Sequence, residues 1–426
     1  MIYPALELYV GGRWLRGEGR EERAVYDPAT GELLGLLPLA SSQDVDAAIA
    51  AAHQAFPLWR QVPALERARL LQAISARLRE QSAMLAHLLS REQGKTIREA
   101  LGEVAGAADT FEWMGEEAKR IYGRTVPSRL PGAEQLVLHE PAGPVAAFAP
   151  WNFPAVLAVR KVAAALAAGC TVVLKPAEET PGIMVAIARL CEACGLPPGV
   201  LNILYGHPDE ISRKLITAPE IQKISFTGSV PVGRHLSSLA GAEMKRITLE
   251  LGGHSPVIVD QGVDVDRVAT AAVAAKFRNA GQLCHAPTRF IVHEASADAF
   301  AQALANHAKT LRLGIGLDDA TQMGPLTHSR RLDAMQAFCD DAVANGARVL
   351  CGGRRCPDLP NGHFFEPTVI SEAGSSLLAM REEPFGPLAL ISRYGSVDQA
   401  IALANAVDLG LGAFAFTGSY EFARRL

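Results

Sequence analysis

The sequence predicts an α/β protein, a doubly wound parallel sheet followed by a second α/β domain, and three observations carry that reading. Short β-type runs at 145–148, 171–174, 200–204 and 224–227 alternate with helical stretches, and their spacing of about 15 to 25 residues is that of βαβ crossovers in a parallel sheet. A second β/α series starts at 256–259. The chain has 426 residues, more than a single hydrophobic core usually serves, so about two to three domains are expected.

Taken in order, roughly the first hundred residues read as mainly helical. Val45, Ile49, Ala52 and Phe56 recur at helical spacing after Ser41-Ser42, which can cap the start; Leu71, Ile74 and Leu78 continue the pattern in a second, charge-rich helix. The segment 122–140, with Pro127 and Pro131 and then Gln135-Leu136-Val137-Leu138-His139, interrupts the first domain. From Val145 the strand–helix alternation takes over. Pro154, just after Asn152, suits the first turn of a helix, where a missing N–H costs little.

Composition excludes several function classes. With 49% hydrophobic and 20% charged residues and a net charge of −4, the chain has no basic footprint, so neither nucleic acid nor an anionic membrane is an expected partner. No apolar run reaches the roughly 18 residues of a membrane span, and the N-terminus lacks the basic start and apolar core of a signal peptide. Seven scattered cysteines argue against a disulfide framework and for a reducing compartment, by default the cytoplasm. Cys191-Glu192-Ala193-Cys194 has no second pair at zinc spacing and reads as helix packing; no metal is expected.

Four segments carry chemistry. In Phe277-Arg278-Asn279-Ala280-Gly281-Gln282-Leu283-Cys284 a thiol follows a glycine-bearing turn, and a thiol that attacks carbonyl carbon needs small neighbours and access. Upstream stands Leu249-Glu250-Leu251-Gly252-Gly253, whose glycines permit close backbone approach or end a strand. At the end of the 224–227 run, Gly228-Ser229-Val230-Pro231-Val232-Gly233 is a strand-to-helix turn that fits either a plain helix start or a pyrophosphate on a helix N-terminus. It is neither G-x-G-x-x-G nor a Walker A loop, since Arg234-His235 follow Gly233. Lys175-Pro176-Ala177-Glu178 ends the 171–174 run, at the sheet edge where doubly wound folds bind ligands.

These segments, with Pro150-Trp151-Asn152-Phe153-Pro154 and Glu382-Glu383-Pro384-Phe385-Gly386-Pro387, resemble the aldehyde dehydrogenase superfamily along essentially the whole chain, and its succinate-semialdehyde dehydrogenases most closely. The resemblance implies a dinucleotide-binding domain over 1–121 and 141–252, a projecting oligomerisation hairpin over 122–140, and a catalytic domain over 253–426. It implies Cys284 as nucleophile, Glu250 as the base that activates hydrolytic water, and Asn152 as oxyanion donor, a residue that could otherwise simply tie down its turn. Trp151, Lys175, Glu178, Gly228, Ser229, Leu251, Glu383 and Phe385 correspond to cofactor-binding positions. Glu178 favours NAD over NADP, because a carboxylate accepts from a free 2′-hydroxyl and repels a 2′-phosphate.

Arg160, eight residues after Asn152, and Arg278, six before Cys284, stand where the succinate-semialdehyde enzymes hold a substrate carboxylate; internal salt bridges are the competing use of each. Glutarate semialdehyde or a neutral aldehyde are alternative substrates, and a non-catalytic nucleotide-binding relative is the alternative function. A homodimer or homotetramer is implied. The family continues for several dozen residues past the position of Leu426, so a strand near 414–417 is expected at an unpaired sheet edge. His285, adjacent to Cys284, is not expected to act as its base.

Overall fold

The computed structural model describes residues 3–426. The chain forms two compact units, each with its own sheet. The first takes the chain up to Val25, then Leu33–Leu89 and Leu101–Glu250; the second comprises Tyr26–Glu32, Ser90–Ala100 and Leu251–Leu426.

The first unit opens with strands the helical reading missed. β1 (Leu8–Val10) and β2 (Arg13–Leu15) pair antiparallel across the Gly11–Gly12 turn, and β3 (Glu22–Tyr26) pairs with β4 (Leu33–Pro38). Strands of three to six residues show too few alternations to register as a period, which is why the helices beside them dominate the pattern. The helix Ser42–Trp59 then starts on Ser41, in a full capping box with Asp44, and Ala64–Glu80 buries Leu71, Ile74 and Leu78. An antiparallel ribbon, β5 (Arg124–Pro127) with β6 (Glu134–Val137), follows the long helix Ile97–Ala118. Exposed on and around it are Tyr122, Leu130, Leu136 and Leu138.

The unit's main sheet comes from β7 (Val145–Phe148), β8 (Val172–Lys175), β9 (Leu201–Ile203), β10 (Lys223–Gly228) and β11 (Arg246–Leu251). Its order is β11-β10-β7-β8-β9-β1-β2, with β10, β7, β8 and β9 mutually parallel. β7 and β8 are buried along their whole length, as a parallel sheet covered on both faces requires.

The second unit is built on β12 (Pro256–Val259), β13 (Arg289–His293), β14 (Arg348–Cys351), β15 (Thr368–Ser371), β16 (Leu388–Tyr394) and β17 (Phe414–Phe416), in the order β14-β15-β16-β13-β12-β17. All neighbouring pairs are parallel except β14 with β15. β17 is the last strand of the sheet. The core joins Phe290 and Val292 to Phe300 and Leu304 of the helix Glu294–Lys309 and to Met335 and Phe338 of the helix Ser329–Ala344.

Where the sequence reading kept all of 1–121 in the cofactor domain, 26–32 and 90–100 belong to the second unit. Close packing explains it. A Cβ at Gly94 would come within 2.7 Å of Pro325, and one at Gly316 within 2.6 Å of the Ser90 hydroxyl. The Gln93 amide donates to Thr327 Oγ1 at 3.0 Å. Contacts between residues more than two hundred positions apart leave no local trace in a sequence.

Candidate active site

In the first unit, sheet growth reverses beside β7: β8 and β9 extend it one way and β10 lies on the other side. Ligands of open α/β sheets bind at such a switch point, outside the carboxyl ends of the strands. Trp151 and Asn152 follow β7 there, and Gly228 ends β10. Asn152 is buried at 4% exposure and Trp151 half-buried. The helix Pro154–Ala167 starts with Pro154 at its first position and without a cap from its own flank. Its orphan N–H groups are met by Glu103, whose Oε1 accepts from Ala155 N at 2.9 Å and Val156 N at 3.3 Å. Sequence reading missed Glu103, because a carboxylate capping a helix some fifty residues later shows no spacing signal; an anion at a helix N-terminus is the favourable sign.

Arg160 is exposed on that helix, and Lys161 beside it is half-buried. Burial pulls the Lys161 ammonium down to about 8, against the attraction of Glu250 and with a push from Arg160; its Nζ donates to Ser225 Oγ at 3.2 Å. Glu250 is exposed near the end of β11, where Leu251 is half-buried. At the end of β8, Lys175 and Glu178 form a buried ion pair at 2.6 Å, and Glu178 also accepts from Gly206 N at 3.0 Å. Ser229 is the N-cap of the helix Val230–Ala242, yet its side chain makes no cap hydrogen bond.

In the second unit the candidates stand at the opposite edge. β16, β13 and β12 are adjacent and parallel, so the loops leading into their amino ends lie side by side. These loops carry Glu383 and Phe385, Cys284, and Gly252-Gly253 respectively. Glu383 Oε1 accepts from Gly253 N at 3.2 Å. A Cβ on Gly252 would collide with the Glu383 carboxylate, one on Gly253 would reach the Cys284 carbonyl at 3.0 Å, and one on Gly281 would collide with the Gly386 carbonyl. The glycines therefore stand where three loops touch. Arg289 ties two of the strands' starts, donating from Nε to His254 O at 3.0 Å.

The turn before Cys284 is bent sharply. The helix Val265–Lys276 stops at Phe277, and Asn279, Ala280 and Gly281 follow with φ of 49°, 52° and 73°. A left-handed alanine costs roughly 1–2 kcal/mol, so surrounding bonds must hold it. Gln282, fully buried, donates to Asn279 O and accepts from Thr327 N, each at 3.0 Å. Cys284 emerges half-buried and Arg278 exposed. His285, not expected to act as the base of Cys284, has its Nδ1 3.6 Å from Cys284 Sγ.

Beneath Glu383 is a buried cation that sequence reading passed over. Lys276 is fully buried, and its Nζ donates to Thr288 Oγ1 at 3.1 Å. Burial pulls this ammonium down to about 7 against the pull of Glu383. Burial likewise lifts Glu383 to about 7, opposed by the Gly253 N–H, Arg331 and Lys276. Among the described residues no group of three His, Cys, Asp or Glu side chains is placed to hold a metal, and no helix is long and apolar enough to cross a membrane.

The chain matches the model of the aldehyde dehydrogenase family over residues 14–426. It is 48% identical over 419 residues to 4-(hydroxymethyl)benzenesulfonate dehydrogenase of Comamonas testosteroni, covering 98% of this chain and 87% of the relative. It is 40% identical over 418 residues to a glutarate-semialdehyde dehydrogenase of Pseudomonas putida, covering 98% and 85%. Among solved structures it is similar to succinate-semialdehyde dehydrogenase from Burkholderia pseudomallei, with a TM-score of 0.96, 40% identity, and 99% and 87% of the two chains covered.

Proposed function

The chain belongs to the aldehyde dehydrogenase family, and from that premise we propose that it oxidises a short carboxylated aldehyde, succinate semialdehyde first, to the acid with NAD. The observation that carries the substrate class is the pair of exposed arginines, Arg160 and Arg278, one on the helix after Asn152 and one in the turn before Cys284. A planar guanidinium pairs with carboxylate through two parallel hydrogen bonds. Relatives that act on glutarate and succinate semialdehydes support the reading.

The roles follow from the chemistry each group can do. The Cys284 thiolate adds to the aldehyde carbon, and the Asn152 amide with the Cys284 N–H donates to the oxyanion that forms. The family uses NAD or NADP, which when bound takes up the hydride lost from the substrate carbon. Cys284 is then left as a thioester, and Glu250 removes a proton from the water that hydrolyses it. The donor set at the first sheet suits a dinucleotide: the Lys175–Glu178 pair for a ribose, and a helix start whose N–H groups Ser229 does not cap for a pyrophosphate. Leu251, Glu383 and Phe385 complete the proposed cofactor contacts, and Glu178 favours NAD. A cytoplasmic homodimer or homotetramer, joined through the exposed β5–β6 ribbon, is part of the same proposal.

A second reading rests on the 48% identity to the benzenesulfonate enzyme: the arginines would then hold a sulfonate on an aromatic aldehyde. Both readings are tested by kcat/KM for succinate semialdehyde, 4-formylbenzenesulfonate and butanal in the parent, Arg160→Gln and Arg278→Gln. Loss of roughly 1.5–3 kcal/mol, on the order of 10- to 100-fold, is expected for the anionic substrate alone. Whichever anion the parent prefers selects between the readings. Equal losses for butanal would remove the arginines from substrate recognition.

A further inference from the structure

The left-handed turn before Cys284 has a backbone donor that bonds outside the turn. Ala280 N bonds to Phe277 O and Gln282 N to Asn279 O, but Asn279 N points out of the turn and donates to Glu99 Oε1 at 2.6 Å. Glu99 is the third residue of the helix Ile97–Ala118. Its other oxygen, Oε2, accepts from Thr96 N and Thr96 Oγ1, both at 2.9 Å, while Glu99 N donates to Thr96 Oγ1 at 3.3 Å. One carboxylate thus closes a capping box with one oxygen and grips the nucleophile turn with the other.

We infer that Glu99 is a positioning residue for the nucleophile, its carboxylate clamping the left-handed turn that presents Cys284. The inference rests on Cys284 being the nucleophile proposed above. The geometry is that of a charge-assisted bond, short and roughly twice as strong as a neutral one. It is made at the residue where the strain begins: Asn279 is the first of three consecutive positive-φ positions. The turn cannot relax toward β16, because the Gly386 carbonyl occupies the space beside Gly281. Nor can it move freely about Thr327, whose backbone N–H donates to Gln282 Oε1. Gln282 holds the turn at the Asn279 carbonyl, and Glu99 holds it at the Asn279 N–H. Because the capping box immobilises Glu99 itself, the clamp is fixed before substrate arrives, which is how preorganised groups act.

The test reads the thiol directly. Iodoacetamide alkylation of Cys284, followed by peptide mass spectrometry, is compared in the parent, Glu99→Ala and Glu99→Gln, alongside kcat, KM and NAD affinity. Glu99→Ala is expected to slow alkylation and lower kcat on the order of 10- to 100-fold, with NAD affinity within about twofold of the parent. Glu99→Gln keeps the shape and one acceptor oxygen, so it recovers much of the loss and reads the same question if Glu99→Ala does not fold. Asn279→Gly supplies an independent arm: glycine adopts the left-handed turn without strain, so adding Glu99→Ala to it costs less than adding Glu99→Ala to the parent. Parent-like alkylation and kcat in Glu99→Ala would overturn the inference, as would an equal loss in both backgrounds. A parent whose Cys284 resists iodoacetamide while turning over substrate would overturn the nucleophile assignment itself.

Discussion

The two units hold their candidate residues at opposite ends of parallel strands. In the first, Asn152, Lys175, Gly228 and Ser229 stand at the carboxyl ends of β7, β8 and β10; in the second, Gly253, Cys284 and Glu383 stand before the amino ends of β12, β13 and β16. The carboxyl edge is where helices begin, so N–H groups and the positive end of the helix dipole face a ligand without further construction. At the amino edge, loops arrive from helix carboxyl ends, whose dipole disfavours an anion. A thiolate there must be served by other means. The second unit supplies instead a left-handed turn before Cys284 and glycines that let three loops touch.

The largest effect that could break this comparison lies at the reacting groups. Cys284→Ala is expected to abolish NADH formation, a loss of at least roughly 10⁴-fold, since residues of a covalent mechanism have no substitute. Glu250→Gln should still form the acyl-enzyme and then hydrolyse it slowly, so a burst followed by a reduced steady rate is the expected trace. A Cys284→Ala protein that still turns over would mean that the amino edge of the second sheet is not where the chemistry occurs.

A smaller effect sharpens the contrast in charge handling. Lys175 has Glu178 at 2.6 Å, whereas Lys276 is fully buried with a hydroxyl as its hydrogen-bond partner. Its pKa falls from 10.5 to about 7 on folding, so between those values the unfolded chain binds more protons than the native one, and stability rises with pH across that window and is lost as pH falls through 7. Glu383 rises from 4.5 to about 7, so its contribution is present below 4.5 and lost as pH rises through 7. Unfolding free energies of Lys276→Met and the parent, measured by urea from pH 7 to 9, should diverge in the parent's favour by up to about 1.4 kcal/mol per pH unit. For Glu383→Gln the parent's relative stability should instead decline between pH 5 and 7, a window set by the same shift. A flat difference for Lys276→Met would mean that this lysine keeps its proton when buried.

The asymmetry between the edges also explains what the sequence discloses. The alternation of 145–228 and the capping Ser41 are local patterns, and they recur in the structure as β7 to β10 and the capping box of the helix Ser42–Trp59. Cys284 and the glycines around it stand out because small residues next to a thiol are a local pattern too. Glu99, Glu103, Lys276 and Gln282 do not stand out. Each acts through a backbone or side-chain partner whose position only tertiary packing sets: Glu103 caps a helix across 52 residues and Glu99 reaches a turn across 180. The short strands β1 to β4 were hidden for a different reason, three to six residues being too short for a period of two to assert itself beside long helices.

The smallest effect separates two serines at the helix starts of the first unit. Ser41 caps Ser42–Trp59 with its own side chain, accepting from Asp44 N at 3.2 Å, and Ser41→Ala should cost about 1 kcal/mol of stability. Ser229 occupies the same position on Val230–Ala242 but makes no cap bond. In the absence of cofactor Ser229→Ala should therefore leave stability within a few tenths of a kcal/mol. If the carboxyl edge receives pyrophosphate, the cost appears only on binding: the hydroxyl is then a neutral hydrogen-bond donor, so NAD affinity should fall by about 0.5–1.5 kcal/mol, roughly 3- to 10-fold. Calorimetric titration of NAD into both variants, with unfolding curves recorded without it, distinguishes the outcomes. A Ser229→Ala protein destabilised like Ser41→Ala and binding NAD as the parent does would make this an ordinary helix start and move the phosphate contact elsewhere along the β7–β10 edge.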